Sequence, residues 1–276
     1  MKNPLEEIRK HYKRTVKSFD KQEVHHFRVE VKKMRALIRL LFYNKLRKAI
    51  KIPERINNLY KCTGNIRNLQ LQQERIIHFT FKSNVWPKSY ISFLGSRQQK
   101  LRKEAGKYKN EKPVNSRETK RIRNELKKLE NKKIKAYAYH QAQLLQNLLL
   151  LEHFEDDDLH QLRKFLKDIL YNWKRIKLFI IPLLPFYFQE KKDINALTVL
   201  LGEFQDVCIA LKFLEHEFYP YSSTSEELML NNFREDMELQ KLNLRKRILN
   251  IIAPSIISRY NVNSESFTSN YKNGLS

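Results

Sequence analysis

Between His25 and Arg39 the side chains His25, Arg28, Lys32, Arg35 and Arg39 follow one another at spacings of three and four. On a helix advancing about 100° per residue, such positions fall within an arc of roughly 80° and form one row. A second segment places His160, Arg163, Lys167 and Lys174 in the same way, with Leu170 interrupting the series. Guanidinium groups offer planar forks to phosphate oxygens, ammonium groups act as point charges, and imidazole donates more strongly once protonated. The first row would extend roughly 21 Å at about 1.5 Å per residue, which suits an extended chain of anionic groups better than a single phosphate.

Such a row works against its own helix, because like charges three and four residues apart are destabilising by a few tenths of a kcal/mol per pair. No acid lies within the first row, and Glu30 falls well away from it. Solvated helix faces usually mix signs, so a basic helix alone would not imply a ligand. A His-led row repeated at the same phase does. Beside the rows run apolar faces: Phe27, Val31, Met34, Ile38 and Leu41 in one, Leu162, Leu166, Ile169 and Trp173 in the other. Each segment therefore reads as a helix that buries one side and presents cations along the adjoining edge. Glu23 and Asp156 to Asp158 precede the rows where acids favour a helix N-terminus, close to the two histidines.

The 276 residues hold 54 Lys+Arg against 30 Asp+Glu, a formal net charge of +24, which calls for a polyanionic partner or counter-ions. With only 5 Gly and 8 Pro, the composition argues against β-sandwich, Rossmann and collagen-like chains and for a soluble all-α protein. Helical periodicity predicts helices over about 5–17, 20–51, 54–81 with a break or bend at Gly64, and 88–109. After a polar boundary at 108–118, it predicts further helices at 117–154, 156–181, 193–218 and 223–252, then a frayed polar tail. Asp20 with Glu23 has the spacing of a capping box. The longest apolar run, Leu178 to Phe186, is too short to span a membrane, and the first residues carry no secretory signal pattern. Cys62 and Cys208 lack a nearby cysteine partner, which fits reduced thiols in a cytoplasmic setting.

The order of segments repeats. Residues 24–41 match 159–176 at an offset of 135, and TGNIRNLQL at 63–71 matches LGEFQDVCI at 201–209 at an offset of 138. The predicted architecture is a duplicated four-helix unit, with halves over 1–110 and 117–254. The repeated His-x-x-Arg-x-x-x-Lys pattern, which continues to an Arg in the first copy, resembles the CHAD family, the conserved histidine α-helical domain. The resemblance covers about 1–254. It implies two pseudo-symmetric four-helix bundles with basic helices facing a central cavity or pore, and non-catalytic binding of inorganic polyphosphate, with no cofactor. A cytoplasmic protein associated with polyphosphate granules would fit that ligand.

Carried onto this chain, the resemblance assigns the ligand to His25, Arg28, Lys32, Lys33 and Arg35, and to His160, Arg163, Lys164 and Lys167. The helical phase adds Arg39 and Lys174, and Arg67 remains available in the later segment. Three departures stand out: Leu170 precedes Tyr171 where the family has an arginine, and Asn68 and Gln70 replace two acids. In the second copy Asp206 is kept, while Gln205 stands where an arginine would be expected. These changes weight the expected binding toward the first row.

A nucleic-acid-binding helical protein is the alternative, since 13 Tyr and 16 Phe could stack on bases. No helix-turn-helix, zinc-finger or RNP1-like signature supports it, and nucleic acid is expected only as a weaker competitor. Catalysis is not expected, because the chain has no HExxH, no P-loop and no acidic metal cluster beyond the capping run at 156–158. His11, His26, His78, His140, His153 and His216 show no ordinary metal-ligand spacing, so no metal is expected. Arg97, Lys100 and Lys107, and separately Arg234 and Lys241, share helical phase but read as solvated faces.

Overall fold

Apolar residues spaced three and four apart recur along the chain, and in the computed structural model they form helices alone among the described residues, 4–43, 51–83, 85–113, 115–215 and 224–272. In order these are α1 (Pro4–Ser18), α2 (Lys21–Leu41), α3 (Glu54–Ser83), α4 (Lys88–Gly106), α5 (Ser116–Lys127), α6 (Asn131–Leu149), α7 (Asp156–Ile180), α8 (Lys191–Lys212) and α9 (Thr224–Lys272). Two short 3-10 turns, Ile181–Leu183 and Phe186–Phe188, follow α7 at its prolines. The all-α expectation holds.

Four boundaries depart from the periodicity. The second helix closes at Leu41, with Phe42 leaving helical geometry at φ −112° and ψ 15°, and the predicted continuation over 44–50 lies outside the described residues. Helix α3 runs unbroken through Gly64. The predicted helix over 117–154 is two helices, parted at 128–130. The buried stripe rotates there: Ile122, Leu126 and Leu129 share one phase, whereas Ile134, Tyr137, Ala138 and Leu145 lie roughly 100° away on a continuous helix. One straight helix could not bury both stripes in their separate cores. Finally, α9 continues past Pro254 to Lys272. That proline lacks the N–H that would bond to Asn250 without ending the helix, and no glycine follows before Gly274 to provide a C-cap. The predicted end of α8 near Phe218 and Pro220 lies outside the described residues.

The chain divides into two units, and neither is a contiguous half. Unit 1 comprises Met1–Glu130 with Asp206–Gln240, and unit 2 comprises Asn131–Gln205 with Lys241–Ser276. In unit 1 the core draws Ile8, Tyr12 and Val16 from α1, Phe27, Val31, Met34 and Leu37 from α2, and Ile56, Leu59 and Ile66 from α3. Tyr12 meets Phe27 edge-on at 5.9 Å between centroids and donates to the Tyr108 carbonyl at 3.1 Å. The α1–α2 corner turns at Phe19, whose φ of 51° is left-handed, and its carbonyl accepts from Gln70 Nε2 at 3.3 Å. Asp20 then caps α2, accepting from the Gln22 and Glu23 amides at 2.8 and 3.1 Å. Glu23 does not reciprocate; it turns to His11 and Arg14 on α1.

Later chain also completes unit 1. Helix α4 begins at Pro87, which has no capping side chain, and buried Glu226 of α9 accepts from the Ser89 and Tyr90 amides at 3.4 and 2.8 Å. Tyr90 Oη donates to the Phe213 carbonyl at 3.1 Å, and Phe79 packs on Phe233 at 5.1 Å.

Unit 2 buries Leu162, Leu166, Ile169 and Ile176 of α7 and Tyr137, Ala142 and Leu145 of α6. The acidic start of α7 caps as expected, with Asp158 accepting from the Glu155 amide at 2.8 Å. Asp156 has a second role, pairing with Lys241 at 2.5 Å and Arg245 at 2.8 Å of α9. Helix α8 is, among the described residues, the single helix long and apolar enough to cross a membrane by length and composition. Its buried Ile194, Leu197, Leu201, Phe204 and Val207 have the spacing of a core stripe. Its apolar residues form no uninterrupted run, because Gly202 and Glu203 divide them.

Phe27 is fully buried and packs against Tyr12 of α1. Phe27→Ala is expected to lower unfolding free energy by about 3–5 kcal/mol, as read from urea denaturation.

Candidate functional site

The alternation that buries Phe27, Val31 and Met34 turns the first row toward α3. Arg28, Lys32 and Arg35 are half-buried, whereas His25, Lys33 and Arg39 are exposed. Arg28 Nη1 donates to the Tyr60 carbonyl at 2.6 Å, and Arg35 Nη2 donates to Asn57 Oδ1 at 2.9 Å. Both guanidinium groups also lie on the Tyr60 ring, 4.3 and 4.1 Å from its centroid. These are neutral acceptors and a π face; neither arginine is paired with a carboxylate among the described residues. The arrangement holds the guanidinium groups in place while leaving their charge uncompensated.

Arg67, two turns beyond Tyr60 on the same face of α3, adds another cation, with its Nη1 buried and without a hydrogen-bond partner. The cluster is felt at His25. Although His25 keeps much of its surface in solvent, the protein around the ring partly desolvates it and holds its pKa below the usual value, and the charges of Arg67, His26, Lys32 and Arg28 push it in the same direction. Burial lowers the pKa of Arg28 as well, with Arg35 and Arg67 contributing.

In unit 2, His160, Arg163 and Lys167 of α7 are half-buried, and Lys164 and Lys174 are exposed. His160 Nδ1 and Arg163 Nε are buried without a hydrogen-bond partner. Burial depresses the His160 pKa, as do Lys164 and Arg163, while a hydrogen bond with Gln205 and the charge of Asp157 oppose the shift. Lys167 is lowered by burial and by Arg163.

Gly64 and Gly202 explain why the two repeated segments travel with the rows. A Cβ at Gly64 would stand 2.7 Å from Arg28 Nη1, and one at Gly202 would stand 3.5 Å from Arg163 Nε. In each unit a glycine on one helix therefore faces the row arginine three residues after the histidine. Gly64 marks a close approach of Arg28 where periodicity suggested a helix break.

Not every expected residue belongs equally to a row. Lys33 pairs with Glu30 at 2.6 Å, and Lys164 reaches Gln161 at 3.5 Å, both at the surface. Gln70 donates to the Phe19 carbonyl, a bond that a carboxylate cannot make. The departure at Gln70 thus serves the α1–α2 corner, and that at Gln205 serves His160. Sequence reasoning missed Tyr60 and Asn57, which carry no charge and no motif. It also missed two basic clefts of unit 1, of about 560 and 590 Å³, the first lined by Lys120 and Arg123, the second by Lys13 and Lys112, with Arg9 common to both.

The glycine contacts differ in tightness, and this is measurable. Alanine favours a helix over glycine by about 0.8–1.0 kcal/mol. Gly202→Ala, an ordinary contact, is expected to raise the thermal midpoint. Gly64→Ala must displace Arg28 from Tyr60 and is expected to show a smaller gain or a loss. Equal gains would mean that Arg28 needs no such room.

The family model described as CHAD domain matches residues 1–215. No curated protein gives a significant match to the chain. The matched stretch contains both rows, both Arg–Gly contacts and Tyr60, and it ends before α9, short of the 254 residues that the sequence resemblance suggested. The chain belongs to the CHAD domain family.

Proposed function

We propose that the protein binds inorganic polyphosphate through the two His-led rows, without catalysing its cleavage. Membership of the CHAD family is consistent with a polyphosphate-binding role in general. The observation that carries the reading is the Arg28–Tyr60–Arg35 arrangement: two half-buried guanidinium groups fixed by neutral partners. Self-repulsion within the row is then relieved when phosphate oxygens enter and counter-ions leave. The finer architecture belongs to this proposal as well: two pseudo-symmetric four-helix bundles whose rows face one basic cavity. Under this reading the ligand is taken up where the protein resides, in the cytoplasm.

Nucleic acid would need open aromatic platforms beside the cations. The aromatic ring within the first row, Tyr60, is instead covered by Arg28 and Arg35. Polyphosphate should accordingly displace single-stranded nucleic acid, with the reverse displacement weak at matched charge.

Calorimetric titration with long-chain polyphosphate is expected to show affinity falling steeply as sodium chloride rises. Arg35→Gln should weaken binding by about tenfold, the equivalent of roughly 1.4 kcal/mol. Lys33→Gln should change it little, because Lys33 is exposed and already paired with Glu30. No phosphate should be released during prolonged incubation with magnesium. Salt-independent binding, or equal losses in the two variants, would contradict the row mechanism.

The histidines supply a pH test. In the free protein His25 and His160 titrate below the usual value of about 6.5. Bound phosphates favour the charged imidazole and raise both pKa values. Between the depressed free value and the raised bound value, binding takes up protons, so affinity should increase as pH falls through about 6.5. Proton uptake, read by calorimetry in buffers of different ionisation enthalpy, should shrink in His25→Gln/His160→Gln.

A further inference from the structure

At the α1–α2 corner lies a group that the basic rows do not use. His11 of α1 and Glu23 and His26 of α2 each offer a ligand atom, and these atoms all lie within 4.8 Å of one another. We propose that His11, Glu23 and His26 form a binding site for a divalent first-row transition-metal ion, of which zinc is the simplest occupant.

The donor set is two imidazoles and a carboxylate, a combination used for zinc and its neighbours rather than for magnesium or calcium. The fold prepares most of it. His11 Nδ1 lies 2.9 Å from Glu23 Oε2, and both residues are half-buried, so two ligands from different helices are already in register. Thr15 Oγ1 donates to the Glu23 carbonyl at 3.0 Å, pinning the backbone that carries the carboxylate. His26 is the exposed member, with its ring centroid 5.2 Å from that of His11. A zinc centre has bonds of about 2.0–2.2 Å, so the ligand atoms must close in on the ion, and the exposed His26 ring is the member with room to do so.

The local charge is suitable despite the basic chain. Glu7 Oε2 stands 3.9 Å from His11 Nε2, and Asp20 lies near His26 at the helix start, so acids surround the imidazoles. The opposing groups are Arg14, 3.3 Å from Glu23 Oε1 and largely exposed, and His25, whose ring is 5.9 Å from His26. Arg14 can swing into solvent when a cation arrives. Spacing rules could not find this site, because His11 and His26 come from different helices and Glu23 first reads as a capping residue.

The test uses the full-length, tag-free protein after chelator treatment, with no polyphosphate present. Zinc is titrated calorimetrically and cobalt(II) is followed by visible absorption. One ion per chain is expected, with the intense absorption of a low-coordinate cobalt site and a higher thermal midpoint in zinc. Losing a ligand should cost at least as much as losing an outer-shell partner, about 10–100-fold in affinity. His26→Ala is the primary variant, since its exposed ring leaves the fold intact, and Glu23→Gln removes the charge at similar shape. His78→Ala, on exposed α3 surface, should leave binding unchanged. Absence of binding, or binding that survives His26→Ala and Glu23→Gln alike, overturns the site. Loss in His78→Ala equal to that in His26→Ala overturns it too, as scattered surface coordination.

Discussion

Two guanidinium groups on one tyrosine ring, with no acid to neutralise them, set the terms for the first unit. Arg28 and Arg35 stand two helical turns apart on α2, and Tyr60 of α3 holds both by its π face while its own carbonyl receives Arg28. A carboxylate in that place would satisfy the arginines and remove their use to an anion. A tyrosine and an asparagine keep them oriented without cancelling their charge. The apolar stripe from Phe27 to Leu41 makes this possible, since burial on one side offsets the repulsion stored on the other. The close approach of α2 to α3 requires a residue without a side chain, and Gly64 supplies it.

Only the approach of a row arginine to a glycine recurs in unit 2, and with looser tolerances. Arg163 faces Gly202 at ordinary contact distance, and Leu170 stands where the first row continues with a second arginine. The polar neighbour of the histidine is Gln205, which hydrogen-bonds His160 and partly opposes the loss of basicity caused by burial. Two copies of one pattern thus carry different amounts of fixed positive charge.

Much of this was legible in the residues themselves. The His-Arg-Lys spacing, the apolar stripe beside it and the offset of the two segments led to the all-α class, the row residues and the family. What periodicity could not convey was the identity of neutral partners: nothing distinguishes Tyr60 or Asn57 from any other polar residue at the edge of a stripe. Gly64 was visible but misread, because glycine weakens a helix and also permits close packing. The split between α5 and α6 was present as a rotation of the buried stripe, which a window-by-window reading smooths over. His11 and His26 illustrate the reverse limit, since ligand spacing within one segment says nothing about pairs joined by tertiary packing.

The course of the chain through the two units constrains when unit 1 can be finished. Its last piece, Asp206–Gln240, follows all of 131–205, and Glu226 within it provides the carboxylate that caps the start of α4. During synthesis, α1 to α5 emerge long before that cap exists, with the Ser89 and Tyr90 amides open to water and the Phe79 ring lacking Phe233. The first unit therefore closes only after the second has largely been made, a late, long-range step of the kind that slows folding. A ribosome halted between the end of α5 and Glu226 would hold a basic, incompletely capped helix set, already carrying the first row and attractive to any nearby polyanion.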